Sequence, residues 1–187
     1  MNTSLTSTRQ YLVRTADLPA DALEHRIHPI VHTNHRYQLS LGDSTGLTKT
    51  AVHLGRLPAG ATSTTLHWHT YEDEWFYVLE AGPDAVLLIW EGAGEGGMEE
   101  GSEGVDVVPG EESVKKGDFL GFRAGVPRAH AFRAGAEEMV YLIGGSREPL
   151  DISHYPAEGK SRIVGQGTEW TVEDKSVIMA EKWRYRK

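Results

Sequence analysis

The feature that most constrains this chain is a pair of histidines two residues apart, His67 and His69, in the extended Thr-rich stretch Ala61-Thr-Ser-Thr-Thr-Leu-His-Trp-His69. Side chains two apart on a strand share a face, so both imidazoles leave one wall together. A short polar turn, Thr70 to Asp73, follows. Glu74 then opens a run of aromatic and β-branched residues, Trp75 to Leu79, that reads as a second strand. If the two strands are neighbours, Glu74 lies beside the histidines. Such a cluster suits a divalent metal and requires at least one further ligand from elsewhere in the chain.

The rest of the chain alternates in short runs. Tyr37–Leu41, Lys49–Leu57, Ala85–Trp90, Ser113–Lys116, Phe119–Phe122, Ala129–Arg133 and Glu138–Ile143 read as strands, separated by Gly- and Pro-containing turns such as Gly42–Gly46. Leu12 to Leu23 reads as one strand and a turn. This pattern predicts an all-β sandwich or barrel. The length of 187 residues fits one domain. We divide it into an N-terminal extension (1–35), a barrel (36–159) and a C-terminal extension (160–187). An acidic Gly-rich insertion at 91–112 holds no Lys or Arg. His25, His28, His32 and His35 have irregular spacing and read as a surface segment. The net charge of −8 argues against nucleic acid as a partner. No apolar run reaches the roughly 20 residues of a membrane span, and the start of the chain has no apolar core of a secretory signal. A cytoplasmic protein is the expectation. With no cysteine, disulfides and thiolate metal sites are excluded.

Two segments resemble the motifs of the cupin family. Gly60, His67, His69 and Glu74 match the first motif, with Ala81 in the place of its closing glycine and Gly82 next to it. Gly117 to His130 is similar to the second motif, with departures. Arg123 replaces a usual proline, Arg128 occupies the ordinary histidine position, and His130 comes two residues later. The usual asparagine is absent, and Ala134 stands there. Leu41–Leu47, Glu72-Asp73-Glu74 and Asp151–Pro156 also look like a group of single-domain microbial and fungal cupins. The resemblance covers about residues 27–159. It implies a jelly-roll barrel (a double-stranded β-helix), frequent dimers, and a metal held by His67, His69, Glu74 and His130. Reactions differ widely among cupins, so the resemblance implies no single activity.

Nitrogen and oxygen ligands of this kind suit Fe, Mn, Zn, Ni, Co or Cu. Four protein ligands without cysteine leave room for water or substrate. Arg123 and Arg128 are candidates to receive a substrate carboxylate. Glu72 and Asp73 read as solvated turn residues, and Tyr77, Tyr141, Trp90 and Phe122 as core. Leu66, Trp68, Trp75, Tyr77 and Leu79 point away from the ligands, so the sheet needs a second cover. A homodimer is one way to supply it. The expected function is a mononuclear-metal enzyme, dioxygenase- or isomerase-like, acting on a small oxygen-bearing substrate. The alternative is a cupin that binds a sugar or small acid without turnover.

Overall fold

The structure, a computed structural model, describes residues 11–19, 21–92, 107–165 and 167–176. Thirteen strands occur among them: β1 (Glu24–Ile27), β2 (His35–Ser40), β3 (Thr50–Leu57), β4 (Trp68–His69), β5 (Glu74–Glu80), β6 (Val86–Glu91), β7 (Gly110–Ser113), β8 (Phe119–Phe122), β9 (Arg128–Arg133), β10 (Met139–Ser146), β11 (Leu150–Tyr155), β12 (Lys160–Gly165) and β13 (Thr168–Glu173). They form a six-stranded sheet (β1-β2-β3-β10-β5-β8), a four-stranded sheet (β13-β12-β11-β4) and a three-stranded sheet (β7-β6-β9). Every pairing is antiparallel. The chain has the all-β jelly-roll architecture.

Alternation sets which side of each strand is buried. Phe76 and Val78 of β5, Leu57 of β3 and Met139 and Tyr141 of β10 meet Leu87 of β6 and Phe132 of β9 in one core. Each such side chain contributes about 1.5–3 kcal/mol by leaving water. The opposite face of β9 is also covered. Ala129 and Ala131 pack against Leu66, with Trp68, Leu88, Trp90 and Val107 around them. The cover expected over Leu66 and Trp68 therefore comes from this chain itself. Two glycines let aromatic rings lie across a strand. A Cβ at Gly144 would sit 2.0 Å from the Trp75 ring, and one at Gly55 would sit 3.0 Å from Tyr141.

Several local expectations shift. The Gly42–Gly46 cluster contains one helical turn, Leu41–Ser44, because the Ser40 hydroxyl accepts from the Asp43 N–H at its start. The 11–23 stretch holds a short 3-10 turn at Thr15–Asp17 and no strand among its described residues. The acidic stretch is narrower than 91–112. Glu91 ends β6, and Gly110–Glu112 belong to β7, which pairs with β6. The strand expected at Ser113–Lys116 lies earlier for the same reason. Neither extension stands apart from the sheets: β1 joins the six-stranded sheet through β2, and β12 and β13 extend the sheet that holds β4. Residues 93–106 and the tail with Trp183 and Tyr185 lie outside the described residues. Among the described residues no helix is long and apolar enough to cross a membrane.

Candidate metal centre

His67, His69, Glu74 and His130 converge. Glu74, the first residue of β5, is their hub. Its Oε2 lies 2.7 Å from His130 Nε2 and 3.7 Å from both His67 Nε2 and His69 Nε2. Ligands about 2.1 Å from one ion would stand about 3.0–3.5 Å apart. The 2.7 and 3.7 Å separations lie on either side of that range. Arg128 and His130 both lie on β9, two residues apart and after the turn at 123–127. Gly125 adopts φ +74° there, which glycine tolerates, and donates its N–H to the His69 carbonyl at 2.8 Å. His130 then pairs backbone to backbone with His67, its N–H reaching the His67 carbonyl at 3.0 Å. A two-residue shift preserves strand parity, so the imidazole still faces inward. His130 is 1% exposed, stacked on Phe122 with ring centroids 3.6 Å apart.

Each imidazole is held from behind. His69 Nδ1 lies 2.6 Å from Asp151 Oδ2, and the other Asp151 oxygen accepts the N–H groups of Tyr71 (3.0 Å) and Glu72 (3.3 Å). His67 Nδ1 faces the Thr65 carbonyl at 3.1 Å, and His130 Nδ1 faces the Arg128 carbonyl at 3.4 Å. A ring whose Nδ1–H is engaged in this way presents the Nε2 lone pair, the arrangement found behind metal-bound histidines. The charges agree. Burial alone would raise the Glu74 carboxyl, but the His130 hydrogen bond and the three imidazoles pull it well below the carboxylate range. Burial, with His130 next, pushes His67 well below its ordinary value and keeps it neutral. Burial opposes charge on His69 as well, but the Asp151 hydrogen bond and the charges of Glu74, Asp151 and Glu72 together outweigh it and raise that ring. Burial would also raise Asp151, yet the bond from His69 and the two backbone N–H groups lower it. His69, Glu72 and Asp151 form a second acidic cluster. Most of its oxygens are committed, since Glu72 Oε1 accepts the Glu148 N–H at 2.9 Å and both Asp151 oxygens are engaged by His69, Ser153 and two backbone N–H groups. It serves as a buttress for His69.

The four side chains line a cavity of about 370 Å³, the size of a small-molecule site. Its other lining includes Tyr141, Tyr155, His28, Arg26, Arg36 and Arg162. Burial pushes the Tyr141 phenol up to about 12, and its hydroxyl has no well-formed hydrogen bond among the described residues. It is a protonated donor available to a ligand.

Arg123 and Arg128 do not line this cavity. Arg128 Nε pairs with Glu91 at 2.6 Å on the surface. Asp73 remains a turn residue, its Oδ1 accepting the Ala124 N–H. Of the four N-terminal histidines, His28 is buried and faces the cavity, while His25 sits against His35 at 3.2 Å. Asp151, His28, Arg36 and Arg162 had no role in the sequence reading. For Asp151 the only signal was its place in Asp-Ile-Ser-His-Tyr-Pro. Arg36 and Gln38 alternate on β2, but a polar row facing a cavity reads like one facing water.

No protein-family model matches the chain, and no curated protein sequence matches it. Solved structures do. An Acidithiobacillus ferrooxidans protein provisionally assigned as a sugar phosphate isomerase is 26% identical, with a TM-score of 0.76 over 94% of this chain and 100% of that one. A cupin-superfamily sugar phosphate isomerase of Silicibacter pomeroyi is 24% identical, with a TM-score of 0.65 over 87% of this chain and 96% of that one. Strand topology and these neighbours give the chain the jelly-roll fold of the cupins. The donor set suits a divalent metal.

Proposed function

We propose that the protein is a metal-dependent cupin enzyme of isomerase type, acting on a small polyhydroxylated or carbonyl substrate. One observation carries the reading: the Nε2 atoms of His67, His69 and His130 lie within 3.7 Å of one Glu74 oxygen in the lining of one cavity, each ring facing an oxygen through its Nδ1. In this reading His67, His69, Glu74 and His130 hold one divalent transition metal. When bound, that ion would act as a Lewis acid toward a substrate oxygen. Its identity among Fe, Mn, Zn, Ni, Co and Cu is left open by an all-N/O donor set.

The chain's own residues then do the following. Asp151 keeps His69 oriented. Phe122 and Phe76 exclude water behind His130, whose ring they contact. Tyr141 offers a phenol proton to a substrate oxygen. Isomerase chemistry is favoured over a dioxygenase reading by the 26% identical neighbour. A binding module without turnover is the second reading, and one observation favours it. Apart from the four ligands, the titratable groups that line the cavity, Tyr141, Tyr155, His28 and the arginines, are donors, and none is a free base.

The test is metal analysis of untagged protein, then aldose–ketose interconversion of sugars and sugar phosphates followed by NMR. Stoichiometric metal with turnover that His67→Ala abolishes supports the enzyme. Metal with binding but no turnover supports the module. A protein that takes up no metal at all removes both metal-based readings. We further propose a cytoplasmic homodimer, with the outer face that carries Tyr77 (40% exposed) and Phe119 (67% exposed) as the contact. Light scattering at micromolar concentration that gives a monomer mass would refute the dimer.

A further inference from the structure

The cavity has a second pole. Its lining holds three arginines, Arg26, Arg36 and Arg162, against one carboxylate, Glu74, which belongs to the ligand set. That excess of cations stands out in a chain whose net charge is −8. Two of the three are fixed in place. Arg36 gives Nε to Gln38 Oε1 at 2.8 Å and Nη1 to the Ser63 carbonyl at 3.0 Å. Those bonds lock the guanidinium plane, and Nη2 has no partner among the described residues. Arg162 gives Nη2 to Glu169, and its buried Nε has no well-formed partner among the described residues. Arg26 stands at the rim, paired with Glu24 at 2.7 Å.

His28 completes the wall. Its Nδ1 accepts the N–H groups of Ile30 (3.3 Å) and Val31 (3.1 Å), so its proton resides on Nε2 as a further donor. Burial, then the charges of Arg36 and Arg162, hold this ring at about 4, which records the positive potential around it. An unpaired buried donor such as Arg162 Nε is costly unless a ligand satisfies it. Planar guanidinium groups match phosphate and carboxylate oxygens.

We propose that this wall seats an anionic oxygen group, phosphate or carboxylate, of the same small molecule whose other end reaches the metal ligands. The proposal rests on the reading of those ligands as a substrate site. It adds the substrate class: a small, singly headed anion with oxygen functions at the opposite end.

The test separates the two poles. Full-length protein is stripped with a chelator and titrated calorimetrically with inorganic phosphate and, separately, with acetate. Metal content is measured on each sample. The expected result is that one of these anions binds the metal-free protein. Tighter phosphate binding identifies a phosphorylated ligand, and tighter acetate binding a carboxylic acid. Arg36→Gln should weaken that binding about tenfold or more, the loss of one charge-assisted pair. Arg36→Lys should recover part of it. Metal uptake should be unchanged in both. If Arg36→Gln fails to fold, the exposed Arg26→Gln provides the same readout with a smaller loss. No binding of either anion to metal-free wild type overturns the proposal. So does binding seen only after metal is restored, which would place the anion on the ion, and so does an affinity that the arginine variants leave unchanged. A protein that binds phosphate but never metal would sink the metal reading and leave this wall standing.

Discussion

The two ends of the cavity differ in how they are made. At the metal end, three of the four ligands fall within residues 67–74: His67 just before β4, His69 on it, and Glu74 opening β5, which lies in a different sheet from β4 rather than beside it. The fourth is delivered by a backbone pairing of His130 with His67. At the cationic end, Arg26 and Arg36 come from a hairpin near the start of the described chain, and Arg162 from β12 near its close. The first end has local spacing that the short turn from β4 to β5, crossing between two sheets, converts into proximity. The second exists only after β1–β2 and β11–β12 have been brought to the same opening. A site built locally can be read early; one built by closure of the fold cannot.

Four measurements break or sharpen this contrast, taken here from the largest expected effect to the smallest. Glu74→Gln should lower metal affinity by roughly a hundredfold or more, because the hub of the cluster loses its charge and partners behind the ligands alone are worth ten- to a hundredfold. Elemental analysis after dialysis checks it, and wild-type metal content in the variant would refute the ligand set. Asp151→Asn should cost about ten- to a hundredfold, since His69 loses the carboxylate that fixes its tautomer. Competition with a chelating dye measures this; an unchanged constant would mean that Asp151 matters only for folding. Next, Glu74→Gln should leave phosphate binding within about twofold, while Arg36→Gln should leave metal content intact. That reciprocal independence is expected of residues that act at separate ends. Equal losses of both ligands in either variant would show one site rather than two poles.

The smallest effect is on stability against pH. His28 is held at about 4 against an ordinary 6.5. As pH falls through 6.5 the unfolded chain takes up this proton, and the folded chain waits until about 4. The unfolded state therefore binds more protons in that window, and folding weakens as pH drops across it. His28→Asn, whose Oδ1 can still accept the Ile30 and Val31 N–H groups, should reduce the difference in melting temperature between pH 7 and pH 4.5. Parallel pH profiles for variant and wild type would show that His28 is not held below its ordinary value in the folded chain.

Much of the fold was legible in the sequence, and the misreadings have specific causes. The Lys49–Leu57, Trp75–Leu79, Phe119–Phe122 and Ala129–Arg133 runs alternate cleanly and became β3, β5, β8 and β9. Gly110–Glu112 reads as part of the acidic insertion because Gly and Glu carry little strand preference. It is a strand because β6 offers it an edge. Lys160–Gly165 lay beyond the resemblance and was assigned to an extension, yet it pairs along all of β11. Arg128 stood where a ligand is usual and looked placed for a substrate; a Glu91 partner on the neighbouring strand took it to the surface.

The sequence by itself determined the alternation that makes the sheets, the shared face of His67 and His69, and the carboxylate that opens the next strand, because strand periodicity acts between residues a few positions apart. Only the tertiary structure decided that Asp151 stands behind His69, that His28 is buried, and that Arg36 and Arg162 face one opening. Those contacts join residues more than eighty positions apart. Spacing along the chain carries no information on them until the sheets have closed.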